Sequence, residues 1–397
     1  MNFLQAKSTK SDVVLTHCRN RIAYNILRSL RKRGLKVAVG VDPDSGMSVY
    51  SRHKYRIFSH PSFSVNEKAF INRLYESLLV YNPSVYIPTD EDIYVVARNL
   101  DKFKNIPVHI PISNSNILDR LENKYNSISL ANSLGIPTPM TIRPKNKNEI
   151  VHFIREHGEP ILLKILYSSS SRGVFYIYKN TLSSTLDEII KRERVSYGDF
   201  IIQQYQKGVG FGVSMLFNQG KLRAKFTHKR IREKAFTGGP STLRVSTRFA
   251  ILEEYAERLL SEVDFHGVAM VEFKHNDQTG ESWFLEVNPR FWGSLGLAIQ
   301  SGVDFPYLLY KMAVNGDISP QLDYKVGLTM KWIGGDILSI VDYFKRTHSM
   351  YAIKEIFRKV DGYDDLSWDD PLPFAAEIFL HLHKIIKLKL KNSVSSK

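Results

Sequence analysis

The sequence predicts an α/β protein built from a parallel N-terminal α/β domain (1–115), a larger central domain (116–315) and a small, mostly helical C-terminal region (316–397). Three observations predict it. Short apolar runs alternate with helical patterns over residues 12–110. Apolar runs after residue 160 each carry one or two isolated charges. The 397 residues exceed one compact core and suit two or three domains.

The first block reads strand–helix–strand throughout. Val13-Val-Leu-Thr is a strand, Ile22 to Leu35 a helix, and Lys36-Val-Ala-Val-Gly-Val a second strand. Another helix runs from Glu67 to Tyr81, followed by the strand Val85-Tyr-Ile-Pro. After the first strand, where a dinucleotide fold places G-x-G-x-x-G, the chain has His17-Cys-Arg-Asn-Arg21. Without glycines the backbone cannot approach a pyrophosphate closely, so the shape is Rossmann-like without that cofactor chemistry. Cys18 reads as a small packed residue.

In the second block, Ile117 to Leu134 is predicted as one helix that stops at Gly135, with Pro137 and Pro139 beyond it. Pro160-Ile-Leu-Leu-Lys164-Ile-Leu is a strand with one lysine amid apolar residues. Ser168-Ser169-Ser170-Ser171-Arg172-Gly173 follows, and reads either as a plain linker or as a loop that closes over phosphates with hydroxyls, N–H groups and Arg172. Phe200-Ile-Ile-Gln203-Gln204-Tyr205-Gln206 is a buried strand running into glycines, an edge able to offer backbone donors and acceptors to an adenine. Phe226-Thr-His-Lys229-Arg230-Ile-Arg232-Glu233 concentrates cations. Phe236-Thr-Gly238-Gly239-Pro240-Ser241-Thr242 is a tight loop suited to an anion, or a simple hairpin turn.

The densest chemistry lies in Val268-Ala-Met-Val-Glu272-Phe-Lys and Trp283-Phe-Leu-Glu286-Val-Asn288-Pro-Arg290. If these runs are adjacent strands, alternation puts Glu286, Asn288 and Arg290 on one face, across from Glu272. Two carboxylates and a carbonyl oxygen suit a hard divalent cation, and a guanidinium beside them suits phosphate. A charged hairpin with ordinary surface polars is the plainer reading, but carboxylates and amides among so many apolar neighbours are costly to bury without partners. The set points to ATP with Mg²⁺.

Taken together, Lys124, Lys164, the small-residue loop, the Gln-Gln-Tyr segment, Glu272 and Glu286-x-Asn288-x-Arg290 resemble the ATP-grasp enzymes, over roughly residues 10–315. The resemblance implies a Rossmann-like domain preceding a two-lobed ATP-grasp domain. It implies that Lys124 and Lys164 touch ATP phosphates, that 168–173 close over them, and that the edge formed by Gln203, Gln204, Tyr205 and Gln206 holds adenine. Glu272 and Glu286 would share one Mg²⁺, with Glu286 and Asn288 on a second; Mn²⁺ is an acceptable substitute. Arg290 would steady an acyl phosphate, with Arg230 as a further catalytic cation. Lys229, Gly238, Gly239, Ser241 and Thr242 would contact substrate. The segments 227–233 and 237–244 resemble the carboxylate–amine ligase branch, close to D-aspartate ligase-like enzymes and those of cell-envelope or polysaccharide assembly. The implied partners are a small-molecule carboxylate and an amine. The pattern departs from the family in three places: position 204 is Gln where relatives often have Glu, the acid that commonly holds the ribose has no evident counterpart around Val209–Gly212, and the closing loop has hydroxyls where relatives are richer in glycine. An ATP-dependent carboxylase and a non-catalytic ATP-binding module stay open beside the ligase.

Composition bounds the rest. Apolar residues at 43%, aromatic at 12% and charged at 24% are those of a folded soluble protein. The excess of 55 Lys+Arg over 40 Asp+Glu is spread along the chain, and no nucleic-acid motif accompanies it, so no nucleic-acid partner is expected. The single cysteine excludes an internal disulfide and a cysteine metal site. No apolar run is long enough to span a bilayer and the first residues lack a signal-peptide core, so a cytoplasmic location is expected. The stretch from Phe374 to Lys391 combines helically spaced apolar residues with lysines. It reads as a helix packed on the body, or as a peripheral contact with an anionic membrane face. A homo-oligomer stays open.

Overall fold

The computed structural model describes residues 10–42, 46–168, 173–235, 238–347, 355 and 357–379. The N-terminal block folds as β1 (Val13–Thr16), α1 (Arg21–Lys32), β2 (Val37–Val41), α2 (Met47–Tyr50), β3 (Arg56–Ser59), α3 (Glu67–Tyr81), β4 (Val85–Pro88) and α4 (Asp92–Arg98). Its four strands are parallel in the order β3-β2-β1-β4. Every residue of β1 and β4 is buried, as a parallel sheet covered on both faces requires. Asn20 starts α1 by accepting from the amides of Ile22 and Ala23. The chain winds from β1 through β2 to β3 on one side, then returns to place β4 on the other. The crevice at the carboxyl ends of β1 and β4 is therefore a topological switch point.

The helix expected over 117–134 is broken. It forms α5 (Ser115–Glu122) and α6 (Lys124–Ser133), because Asn123 turns to extended backbone and caps α6 through the amides of Tyr125 and Asn126. Lys124 thereby becomes the first helical residue rather than a mid-helix one. Next come β5 (Thr141–Ile142), α7 (Lys147–His157), β6 (Ile161–Ile165), β7 (Val174–Ile177), α8 (Leu182–Glu193) and β8 (Phe200–Gln204). They make an antiparallel sheet, β5-β8-β6-β7, whose core is filled by α7 and α8 through Ile150, Phe153, Leu186 and Ile189.

The largest sheet has seven strands. β9 (Val209–Asn218), β10 (Lys221–Ala235), β11 (Gly238–Thr247), α9 (Ala250–Ser261), β12 (Gly267–His275) and β13 (Ser282–Asn288) precede α10 (Leu295–Gln300) and α11 (Phe305–Asn315). Then follow β14 (Thr329–Lys331), α12 (Ile333–Thr347) and β15 (Gly362–Tyr363). The order is β13-β12-β9-β10-β11-β14-β15, antiparallel except for the β14–β15 pair. The tight loop expected over 236–242 is mostly strand: Gly238 already pairs with Ala235, and Ser241 with Glu233. The C-terminal region is likewise not simply helical, since β14 and β15 extend the central sheet. Residues 372–379 are helical. The rest of the basic stretch, and Ser169, Ser170, Ser171 and Arg172, lie outside the described residues. Among the described residues no helix is long and apolar enough to cross a membrane.

Candidate functional site

β12 and β13 pair so that Glu272 stands directly across from Glu286, and Met270 across from Asn288. Cross-strand partners project from the same face. On the other side of β12, Glu272 pairs with Gly212 of β9, which in turn pairs with His228 of β10. A side chain at 212 would collide with the His228 ring, so glycine there leaves the imidazole its place. Arg230, two residues further along β10, reaches Glu272 with Nη2 at 2.5 Å and Glu233 with Nη1 at 3.0 Å.

Glu286 receives cations from two directions: Lys124 at the head of α6, which packs on β13, and Lys164 from the smaller sheet. Lys124 Nζ lies 3.6 Å from Glu286 Oε2 and donates to Ser168 O at 2.6 Å. Lys164 on β6 is buried, and that burial lowers its pKa to about 8 against the pull of Glu286. The two carboxylates behave differently. Burial and the neighbouring Glu286 raise the Glu272 pKa despite Arg230. For Glu286 burial also acts upward, but Lys124, Lys164, Arg230 and Arg290 together hold it below the ordinary value. Asn288 Nδ2 donates to Glu272 Oε1 at 3.1 Å, and Arg290 Nη2 donates to Asn288 Oδ1 at 3.3 Å. Arg290 Nη1 lies 3.1 Å from Asp90 Oδ1, and Asn20 Nδ2 donates to Asp90 Oδ2 at 2.9 Å. One polar chain thus runs from the β1–α1 loop to the paired glutamates.

This donor set fits a hard divalent cation. Among the described residues no three His, Cys, Asp or Glu side chains converge as a closed metal cage. Two carboxylates with an amide are what Mg²⁺ takes when phosphates complete its shell. The cations now facing Glu272 and Glu286 show how much positive charge that pocket can hold.

A family described as "ATP-grasp in the biosynthetic pathway with Ter operon" matches residues 196–335, the segment that carries Arg230, both glutamates, Asn288 and Arg290. Over that segment the chain is similar to the ATP-grasp superfamily. A 138-residue stretch is 28% identical to acetyl-CoA carboxylase 2 of Oryza sativa subsp. japonica, covering 34% of this chain but only 6% of that enzyme. The fold is shared with a biotin carboxylase from Campylobacter jejuni solved as a β,γ-ATP complex (TM-score 0.66, 15% identity, 82% of this chain and 75% of that one). It is also shared with an L-amino acid ligase from Bacillus licheniformis (TM-score 0.58, 14% identity, 77% and 74%).

Other expected site residues fall in different places. β8 ends at Gln204, whose amide is taken by Met140 O, so the backbone of Tyr205 and Gln206 lies beyond the last ladder pair. Gln203 is buried with its amide on Thr141 Oγ1, on the strand rather than at the edge. Gly173 packs against Ser168 with no space for a Cβ, closing the base of the serine loop. Gly239 and Ser241 line a cavity of about 600 Å³ that also exposes Glu272, Glu286, Asn288 and Arg290. Gly238 opens β11 beside them. Two expected substrate residues fall away from the cavity lining. Lys229 lies on the opposite face from His228 and Arg230, where it pairs with Asp277 at 3.1 Å. Thr242 is fully buried and donates to Asp336 at 2.9 Å, so its hydroxyl is committed to the fold.

Several site residues escaped the sequence reading. His17, Arg19 and Arg21 form the far wall of the cavity, together with Trp332. Their signal was the polar run His17–Arg21 at a strand's carboxyl end, which marks a switch-point crevice even without glycines. Glu233 is the other. Position 210 is a glycine, and a Cβ there would lie 3.3 Å from Glu233 Oε1. A carboxylate therefore reaches the β9 segment from β10.

Proposed function

We propose that the chain is an ATP-dependent carboxylate–amine ligase that forms an amide through an acyl phosphate and releases ADP and phosphate. One observation carries this: Glu286, Glu272, Asn288 and Arg290 line a cavity of about 600 Å³, with Lys124 set against Glu286 at 3.6 Å. That space takes an organic acid with an amine and is far larger than bicarbonate needs. The backbone beyond Gln204 would hold the adenine edge, and Glu233 would take the ribose hydroxyls that no acid at 209–212 can take. Lys124 and Lys164 would neutralise the phosphates, and Glu272, Glu286 and Asn288 would hold Mg²⁺. When bound, Mg²⁺ supplies Lewis-acid stabilisation of the phosphoryl oxygens. Arg290, held rigid by Asp90 and Asn288, would keep the acyl oxygen and departing phosphate in line, so positioning and charge neutralisation do most of the transfer. The matched family's description sets it in a biosynthetic pathway, which a bond-forming ligase suits.

The likeness to acetyl-CoA carboxylase favours a second reading, a carboxylase that activates bicarbonate. Product analysis with ATP, Mg²⁺ and pooled carboxylic acids, with and without pooled amines, separates the two. ADP and phosphate appearing only with an organic acid, and amide appearing with an amine, is the expected result. Turnover with bicarbonate alone would install the carboxylase. AMP and pyrophosphate would overturn both.

A further inference from the structure

The ligase chemistry leaves one task without a residue. An amine substrate is an ammonium ion near neutral pH and cannot attack an acyl group until it loses a proton. Arg290, Lys124 and Lys164 serve anions, while Glu272 and Glu286 serve cations.

His17 has the geometry for that task. It stands at the carboxyl end of β1, at the switch point, with a left-handed backbone (φ 54°) that turns its side chain out of the strand's line. Its buried Nδ1 lies 3.7 Å from Asp42 Oδ2, just past the end of the neighbouring β2. Asp42 is 3% exposed, and its other oxygen, Oδ1, has no hydrogen-bond partner among the described residues. Phe63 packs edge-on against the imidazole at 5.2 Å. Nδ1 faces the carboxylate, and His17 is one of the residues that line the cavity. The same loop is tied by Asn20 to Asp90, and through it to Arg290.

We propose that His17, oriented by Asp42, is the general base that deprotonates the amine substrate; this rests on the ligase reading above. The ammonium sheds two protons as the C–N bond forms and the C–O bond to phosphate breaks. His17 Nε2 takes one and returns it to solvent, and the other leaves on inorganic phosphate. The groups facing His17 are Asp42 beyond β2, Arg19 from its own loop (3.1 Å from Asp42), His60 from beyond β3 and Asp92 from α4. His228 shares the cavity but is unsuited: burial, then Arg230 and Arg244, hold its pKa well below the ordinary value, so it does not take up a proton.

The test compares wild type, His17→Asn and Asp42→Asn, using pooled carboxylic acids and either pooled alkyl amines or hydroxylamine. Asparagine is chosen because it tolerates the left-handed backbone. At pH 7, His17→Asn should lower amide formation by about 100-fold or more. Hydroxylamine is already unprotonated at that pH, so hydroxamate and ADP should still form, which also shows the variant to be folded. Amide formation by the variant should climb as pH approaches the amine's own pKa, and Asp42→Asn should give the same pattern more weakly. Unchanged amide formation at pH 7, or equal losses with both nucleophiles, overturns the assignment to His17. If the wild type forms neither product with any carboxylate, the ligase reading falls and the role of His17 falls with it.

Discussion

At the scale of single residues, the site is two carboxylates in unequal fields. Glu286 faces Lys124 from α6 and Lys164 from the smaller sheet, and Glu272 faces Arg230 from its own sheet. Glu286 is therefore the more readily ionised of the two. Glu286→Gln should keep the fold, since amide and carboxylate are isosteric, yet cut Mg²⁺-dependent ATP turnover by about 100-fold or more. ATPase assays with thermal melts check this, and wild-type turnover in the variant would sink the metal assignment. The common side of Glu286 and Asn288 was legible from strand alternation, while the β12–β13 register brings Glu272 across from Glu286. The same alternation places Lys229 on the face opposite His228 and Arg230. Glu233 was not readable. Register shifts after Arg230 and Arg232 bring it to the Arg230 side, which a strict two-residue period denies.

At the scale of elements, the break between α5 and α6 decides where Lys124 points. The 117–134 segment has continuous helical periodicity, so nothing local distinguishes one helix from two. Asn123 settles it by capping α6, while the Lys124 amide bonds Leu166 O on the β6 side. Asn123→Ala removes that cap. It should lower stability by about 1 kcal/mol, or roughly 2–4 °C in thermal midpoint. It should also raise the KM for ATP several-fold, because Lys124 loses its fixed start. A variant with normal KM and normal melting would show that α6 is held without its cap.

At the scale of the whole molecule, an acidic segment near the C-terminus joins the domains. Asp361 accepts from the amide of Thr329, and Asp365 from those of Ile333 and Gly334 at the head of α12. Asp370 accepts from Ser51 Oγ at 2.5 Å and from the amide of Arg52 at 3.1 Å, reaching into the N-terminal domain. Asp364 pairs with Arg244, and both are fully buried. Removing one member of a buried pair leaves an uncompensated charge, so Asp364→Ala should cost about 3–5 kcal/mol. Asp361→Ala, at an exposed hydrogen-bonding position, should cost about 1 kcal/mol. Denaturant unfolding compares them, and equal losses would mean that the Arg244 charge finds another partner. The sequence showed this stretch only as an acidic loop, because its partners lie as far as 346 positions away along the chain.

By itself the sequence determined the α/β class and the order of the ATP-grasp-like motifs, and it singled out the candidate cation and phosphate residues. All of these follow from local periods of 2 and 3.6 residues and from residue type. Only the tertiary structure decided the rest. It joined the β1–α1 loop to Arg290 through Asp90, put Glu233 beside Gly210, turned Lys229 away and enclosed the cavity between domains. Those arrangements depend on which distant segments pack together, on bulges and on a single cap, none of which leaves a periodic trace in the chain.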